Sequence, residues 1–177
     1  MNSPASILVG VTNRAVYIKL EGKGSFKNSP SLKEFFREML GRQFRNFVVD
    51  LENCPVMDST FMGTLAGFAL RLREVDSGSL FVRNVNKRNS DLLKNLGLDN
   101  LFKIESKAAG EIPGGLVEAS HLAPHSPLAT RALLDRSEHA ECMIEAHEAL
   151  VDADPENLAR FKDVLEYLKQ DLRVGSK

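Results

Sequence analysis

The chain has 177 residues, 43% hydrophobic and 27% charged, which is the balance of one soluble globular domain or of one domain with an appendage. Its two cysteines cannot form a disulfide framework, no apolar run approaches the ~18 residues that a membrane span needs, and the first residues lack the basic and apolar regions of a signal peptide. These features argue against secreted, membrane-spanning and disordered classes, and they predict a cytoplasmic protein.

The net charge of −1 conceals an asymmetry along the chain. Residues 1–110 hold 16 basic and 11 acidic residues, a balance of +5, whereas residues 111–177 hold 7 and 13, a balance of −6. Opposite signs predict two regions that have separate roles or that attract each other. The positive excess is small and not clustered, so we expect no direct contact with nucleic acid.

Residues 6–106 alternate between apolar runs typical of strands and segments with helical spacing of apolar residues. In chain order we predict strands at 6–11 and 15–20, a helix ending at Gly41, a strand at 47–51, a helix at about 59–74, a strand at 79–83, a short helix at 91–96 capped by Asn89-Ser90, and an edge strand at 101–104. This order predicts an α/β domain with one hairpin and an otherwise mainly parallel sheet flanked by helices.

The remaining residues divide into a linker and a helical hairpin. Residues 107–127 are rich in Gly and Pro and lack apolar periodicity, which predicts a linker. Residues 128–151 form a predicted helix with His147 and Leu150 near one face, and Asp154-Pro155-Glu156 starts a second helix. Its apolar residues step by three and four, which predicts a narrow seam buried against the first helix, the main domain or another chain: Leu158, Phe161, Leu165, Leu168 and Leu172.

Motifs for enzymatic chemistry are missing from the sequence. It contains no phosphate-binding loop, dinucleotide fingerprint or nucleophile elbow. Asp50 and Asp58 are a formal carboxylate pair, but no histidine precedes residue 121 to assist them. We therefore expect a protein that is not an enzyme and that uses no cofactor.

A metal-like set of residues lies in the C-terminal part of the chain, and its spacing fits no familiar zinc motif: His121, His125, His139, Cys142 and His147. We interpret these as surface histidines and a small core cysteine, and we predict no metal site. Gly63-x-x-x-Gly67 is interpreted as a close packing face between a helix and the sheet.

The most informative segment is the loop between the strand at 47–51 and the following helix, where Asp58-Ser59-Thr60 precedes Phe61-Met62-Gly63. This segment resembles the STAS domain of bacterial anti-sigma factor antagonists, in which Asp-Ser-[Ser/Thr]-Gly-[Leu/Met]-Gly opens a helix. The resemblance continues through Gly78, the strand at 80–82 and the Leu-rich segment 92–102. It covers residues 6–106 and implies a STAS-like domain over residues 1–106, which the residue pattern follows with a linker over 107–127 and a helical hairpin over 128–177.

The resemblance also implies a function in signalling and transcription regulation. In that family a serine-kinase anti-sigma factor phosphorylates the serine after the aspartate, which is Ser59 here. The unphosphorylated form binds the anti-sigma factor, phosphorylation dissociates the complex, and a phosphatase resets it by partner switching. By resemblance, Asp58, Thr60, Phe61 and Met62 would form the partner-binding surface.

Helix capping offers a simpler account of Asp58-Ser59-Thr60, because Asp and Ser are favoured at helix N-termini whatever the function. With the surrounding resemblance we favour the phosphorylation switch and expect Ser59 to be exposed to a kinase. Phe61 departs from the family, which usually has Gly at this position. Two placements stay open: an exposed pair with Met62 at a partner interface, or a Phe61 that packs inward.

Two other functions stay open from the sequence. The chain could be a non-switching STAS scaffold of a lipid-transport or stressosome-like assembly, or a small-ligand sensor that uses the sheet edge and the linker. The acidic tail would dock on the basic domain as an autoinhibitory lid, dimerise through its leucine seam, or bind a further partner.

Overall fold

The computed structural model describes residues 5–12, 14–106, 123–124 and 135–175. Residues 6–106 carry, in order, β1 (Ser6–Val11), β2 (Val16–Glu21), α1 (Ser29–Gly41), β3 (Asn46–Asn53), α2 (Ser59–Arg73), β4 (Ser79–Val85), α3 (Lys87–Asn95), a 3₁₀ turn (Leu98–Asn100) and β5 (Lys103–Ser106). They are followed by β6 (Ala123–Pro124), α4 (Arg136–Ala153) and α5 (Asn157–Gly175). The predicted order of strands and helices is confirmed.

The sheet is mixed and mainly parallel, as predicted. Its strand order is β5-β4-β3-β2-β1-β6. β1 and β2 form the antiparallel hairpin, with Val9 opposite Ile18, and β2, β3, β4 and β5 pair in parallel. β6 adds two residues antiparallel to the outer edge of β1. The parallel strands place the C-terminal ends of β3 and β4 at one edge of the sheet, where the chain enters α2 and α3.

The helix α3 begins earlier than predicted. Asn86, and not Asn89, is its N-cap, and the Asn86 side chain accepts a hydrogen bond from the backbone N–H of Asn89 at 2.8 Å. Asn89 is buried, and its side-chain amide donates to the carbonyl of Cys54 at 3.0 Å. Both asparagines suit helix starts by residue type, so the choice between them depends on this contact with the loop after β3.

The helix α2 is buried on nearly all of its faces. Phe68 stacks on Phe36 of α1 with ring centroids 3.8 Å apart, and it meets Phe47 of β3 edge-on at 4.7 Å. On another face α2 packs against α4. A helix that is apolar all round is typical of a position between two layers, and here the layers are the main domain and the C-terminal helices.

The C-terminal hairpin is present, and its seam packs within the chain. Leu165 and Leu168 of α5 form a small buried cluster with Ile144 of α4. Phe161 packs against the main core, whereas Leu158, which also belongs to the predicted seam, is 50% exposed. Within the described residues, therefore, most of the seam is buried against α4 and the main domain, which are two of the three partners that the sequence left open.

The predicted domain boundaries fall largely outside the described residues. This applies to most of the linker at 107–127, of which only the backbone of Ala123–Pro124 is described. The predicted helix at 128–151 begins at Arg136 in the structure, with residues 128–134 outside the described part. Asp135 caps α4 in a capping box with Glu138. The boundaries at 106, 127 and 128 thus stay predictions.

Candidate functional site

The loop between β3 and α2 is held by backbone and amide hydrogen bonds from both sides. The carbonyl of Cys54 accepts from the side-chain amides of Asn86 and Asn89 at 3.1 and 3.0 Å. Gly24, in the segment between β2 and α1, donates to the Val56 carbonyl at 3.0 Å and accepts from the Asp58 N–H at 2.9 Å. The start of α2 is therefore fixed relative to two neighbouring segments of the main domain.

Asp58 is the N-cap of α2 and also ties down the segment before α1. One carboxylate oxygen accepts from the backbone N–H of Phe61 at 2.9 Å, and the other accepts from the backbone N–H of Phe26 at 2.9 Å. The backbone of Asp58 is extended, as N-cap positions require. The capping interpretation of this residue is confirmed, and it leaves the role of the next residue open.

Ser59 is the first residue of α2, and its hydroxyl contacts the C-terminal part of the chain. Ser59 Oγ lies 2.9 Å from Nε2 of His147 on α4. The expectation that Ser59 is exposed is wrong for this arrangement, because the residue is half-buried beside a histidine that is only 3% exposed. Part of the serine surface that a kinase would contact is thus occupied by the chain itself.

The position of the His147 ring is determined by two further contacts. Nδ1 lies 2.6 Å from the backbone carbonyl of Met143, and the ring meets Phe161 of α5 edge-on with centroids 5.1 Å apart. A carbonyl oxygen can only accept, so Nδ1 carries a proton and donates to Met143, while Nε2 lies within hydrogen-bond distance of the Ser59 hydroxyl. The sequence placed His147 on the apolar face of α4, and a polar residue on such a face was the available signal for this contact.

A serine hydroxyl on a histidine nitrogen is the geometry of an activated nucleophile, and two grooves of the described chain lie away from it. One surface groove of the described chain lies between α1, α2 and α4, and another lies near β2, β3 and β4. Neither is lined by Ser59 or His147. Within the described residues, therefore, neither of these grooves would bring a substrate to the hydroxyl.

The three residues after Ser59 point into the protein. Thr60, Phe61 and Met62 are all buried, and Phe61 is only 1% exposed. The Phe61 ring fills the space beside Gly24, where an added Cβ would come within 2.8 Å of it. Of the two placements left open for Phe61, the structure has the inward one. The role of Thr60, Phe61 and Met62 as a partner-binding surface stays a prediction, and it would require these side chains to move outward.

The glycines of Gly63-x-x-x-Gly67 face another helix, α4. The interpretation that they pack closely against the sheet was therefore wrong. A Cβ on Gly63 would lie 2.8 Å from the Ala146 Cβ of α4 and closer still to the Ala146 carbonyl oxygen, and a Cβ on Gly67 would lie 3.3 Å from the Ala149 Cβ. The missing side chains let the two helix backbones approach closely. Gly63 is therefore a requirement of the contact that brings His147 to Ser59.

The formal carboxylate pair does not form a site. Asp50 is buried and bonded to Arg83, with a 3.0 Å ion pair, and it accepts from the Asn84 side chain at 3.1 Å. Asp58 is committed to capping, as described above. Each carboxylate is thus paired within the fold, which leaves neither free for acid–base work on a substrate.

Most of the metal-like set is either committed elsewhere or not described. The His139 and Phe26 rings meet edge-on with centroids 6.2 Å apart. Burial raises the pKa of the Cys142 thiol, and the positive charge of the nearby Lys33 partly offsets this increase. His121 and His125 lie outside the described residues. Within the described ranges, no group of three or more metal-binding side chains converges, and no helix there has the length and hydropathy to cross a membrane.

Comparisons with known proteins agree with the fold. The family model of the STAS domain matches residues 6–110. No curated protein matches the sequence. A crystal structure of a candidate anti-sigma factor antagonist from Thermotoga maritima superposes with a TM-score of 0.52 at 17% identity, covering 56% of this chain and 86% of that one. An anti-sigma factor antagonist from Mycobacterium paratuberculosis gives a TM-score of 0.53 at 17% identity, covering 59% and 90%.

Proposed function

The chain belongs to the STAS domain family, and on that premise we propose that it is a phosphorylation-regulated protein–protein interaction module with Ser59 as the phosphoacceptor. In this role it acts by binding, as an anti-sigma factor antagonist does, and not by catalysis. The observation that carries the proposal is the position of Ser59, whose hydroxyl stands at the first residue of α2 directly after the capping Asp58.

This position tolerates a phosphate without loss of the fold. The first turn of a helix has backbone N–H groups without helical partners, and the helix dipole favours negative charge there. A phosphoserine adds about −1.5 to −2 charge at neutral pH. The modification would therefore act mainly on what touches the start of α2, by steric and like-charge effects, while the helix itself stays formed.

The partners of this mechanism are a serine-kinase anti-sigma factor and a phosphatase. In the forward step Ser59 Oγ bonds to the γ-phosphorus of ATP, the bond from that phosphorus to ADP breaks, and the hydroxyl proton passes to a base of the kinase. The unphosphorylated form binds the anti-sigma factor and thereby frees a sigma factor. The phosphatase restores the hydroxyl by hydrolysis.

The test is incubation of the full chain with the cognate kinase and ATP, followed by intact-mass measurement and peptide mapping. We expect one phosphoryl group, located on Ser59. Ser59→Ala should stay unmodified, and the matched control Thr60→Ala should be modified as the parent is. A Ser59→Ala protein that is still fully phosphorylated would overturn the assignment.

A second candidate function is a non-switching STAS scaffold, and one observation favours it. The Ser59 hydroxyl already has a structural partner in His147 at 2.9 Å, so the serine has a use without phosphorylation. Affinity purification of the full chain distinguishes the two functions. Recovery of a transport ATPase or a stressosome-like assembly, with no kinase and no phosphate on Ser59, would favour the scaffold.

A further inference from the structure

We propose that α4 and α5, which we call the helix pair, form an intramolecular gate that must leave α2 before any partner can reach Ser59. This inference rests on the proposed function of Ser59 and adds its regulation. In the resting chain the surface around Ser59 is covered by α4 of the same molecule. An outside kinase or anti-sigma factor would therefore compete with the helix pair for the start of α2.

The fit between α4 and α2 is close enough to define a specific binding surface. At Gly63 the backbone of α4 occupies the space of a side chain, since an added Cβ would overlap the Ala146 carbonyl group. Two residues of α4, Ala149 and Leu150, belong to the same buried cluster as the core of the main domain, and Leu150 is fully buried. Docking of α4 thus continues the hydrophobic core.

The contact between Ser59 and His147 leaves no space for a phosphoryl group between the two side chains. At 2.9 Å the two atoms are at hydrogen-bond distance, and the imidazole cannot move back freely because Met143 and Phe161 hold its other sides. Phosphorylation attaches to Oγ a phosphorus that carries three further oxygens. Docked His147 and phosphorylated Ser59 therefore exclude each other in this geometry.

Among the described residues, the contacts at the edges of the helix pair range from an exposed ion pair to buried amide hydrogen bonds. Lys33 of α1 pairs with Glu145 of α4 at the surface, and the His139 ring touches Phe26. Near the turn between α4 and α5, the Asn157 side chain donates to the carbonyls of Leu96 and Leu150 at 2.9 and 2.8 Å. The exposed ion pair contributes little to stability, so the buried contacts of Leu150 and Asn157 govern the opening of the helix pair, which proceeds as local unfolding while the sheet stays formed.

Opening of the helix pair and binding of a partner at Ser59 are linked equilibria, and the coupling between them is reciprocal. For a partner that binds only the open form, the apparent dissociation constant equals the intrinsic one divided by the fraction of chains that are open. Conversely, phosphate on Ser59 would hold the helix pair away from α2 after the kinase has left. Phosphorylation of Ser59 would thus have two effects. It would remove the unmodified binding surface at the start of α2, and it would expose the surface of α2 that α4 covers.

The test replaces the serine by a thiol, so that access to position 59 is measured without any kinase. The full chain with Ser59→Cys is treated with N-ethylmaleimide, and the labelling rates of positions 54, 59 and 142 are followed separately by peptide mapping. We expect the introduced thiol at position 59 to react slowly in this chain. Adding Gly63→Ala should push α4 off α2 and raise the rates at positions 59 and 142 by about tenfold or more, which is about 1.4 kcal/mol in the opening equilibrium.

The test has two controls, one substitution and one native cysteine. Gly41→Ala adds a Cβ in open space at the end of α1, so it should leave all three rates unchanged. Cys54 lies in the buried loop of the main domain, 1% exposed, and should stay slow in every folded variant. If Gly63→Ala also exposes Cys54, the variant has unfolded, and Asn157→Ala replaces it, because loss of its two hydrogen bonds weakens docking without altering the neighbours of position 59. The introduced thiol should then react faster while Cys54 stays slow.

The proposal is overturned if the introduced thiol already reacts as fast in the folded Ser59→Cys chain as in the unfolded one. It is also overturned if Gly63→Ala accelerates labelling of Cys142 but not of position 59, or if Asn157→Ala accelerates labelling of Cys142 and leaves position 59 slow. Failure of the gate can be distinguished from failure of the proposed function. Gated labelling at position 59 with no phosphate on Ser59 in the kinase reaction refutes the switch alone, and equal phosphorylation of the parent and Gly63→Ala chains refutes the gate alone.

Discussion

At the scale of single residues, Asp58 and Ser59 are neighbours with different kinds of partners. Asp58 bonds to backbone N–H groups of Phe61 and Phe26, both within the main domain. Ser59 bonds to His147, a residue 88 positions away on another element. Capping was predictable from residue type and position, since it depends on atoms three residues along the chain. The partner of Ser59 was not.

Asp58→Ala should lower the free energy of unfolding by about 1–2 kcal/mol, because it leaves two backbone N–H groups without their acceptor. Urea denaturation of the full chain, followed by circular dichroism, measures this change. Asp91→Ala is the matched control, since Asp91 pairs with the exposed Lys87 on α3, and we expect it to be close to neutral. Equal losses in the two variants would show that the cap contributes nothing beyond a surface carboxylate.

At the scale of elements, apolar periodicity predicted where the helices lie and which faces are apolar, but it did not predict their partners. The glycines of α2 are compatible with packing on a sheet or on a helix, and only the crossing of α4 at Gly63 decides between these. Likewise the leucine seam of α5 fits a dimer as well as an intramolecular contact. Within the described residues, the cluster of Ile144, Leu165 and Leu168 places most of that seam against α4.

Leu165→Ala should destabilise the packing of α5 on α4 by about 2 kcal/mol, because it removes a buried side chain from a small cluster. Native-state hydrogen exchange of the α5 amides measures the effect where it occurs. The matched control is Leu158→Ala in the same predicted seam, which is 50% exposed and should change exchange by no more than about 0.5 kcal/mol. If both substitutions accelerate exchange equally, the seam is not buried as the structure has it.

At the scale of the whole molecule, the opposite charges of the two halves are only a small part of what holds them together. The described contacts between α4 and the main domain include one ion pair, Lys33 with Glu145, whereas Leu150, Ala149 and the glycines of α2 supply apolar and close backbone contacts. Burial lowers the pKa of Lys33, so this ammonium group forms its ion pair with part of its solvation lost. Docking is therefore mainly a packing interaction.

Raising the NaCl concentration from about 0.05 M to about 1 M, which screens surface charges, should change the rate of Cys142 labelling by less than about fivefold. That limit corresponds to the ~1 kcal/mol that an exposed ion pair contributes at most. Cys54 in the same sample serves as the control for global unfolding. An increase in the Cys142 rate of about a hundredfold would mean instead that charge attraction between the halves holds the helix pair in place.

The sequence by itself determined the order and type of the elements, the cap at Asp58 and the family motif around Ser59, because these depend on residues that are close along the chain. Only the tertiary structure decided that Phe61 turns inward beside Gly24, that α4 covers α2, and that His147 meets Ser59. These depend on complementary surfaces formed by segments far apart in sequence. Opposite net charges predicted attraction between the two halves, but the place and orientation of docking come from where a backbone can approach Gly63.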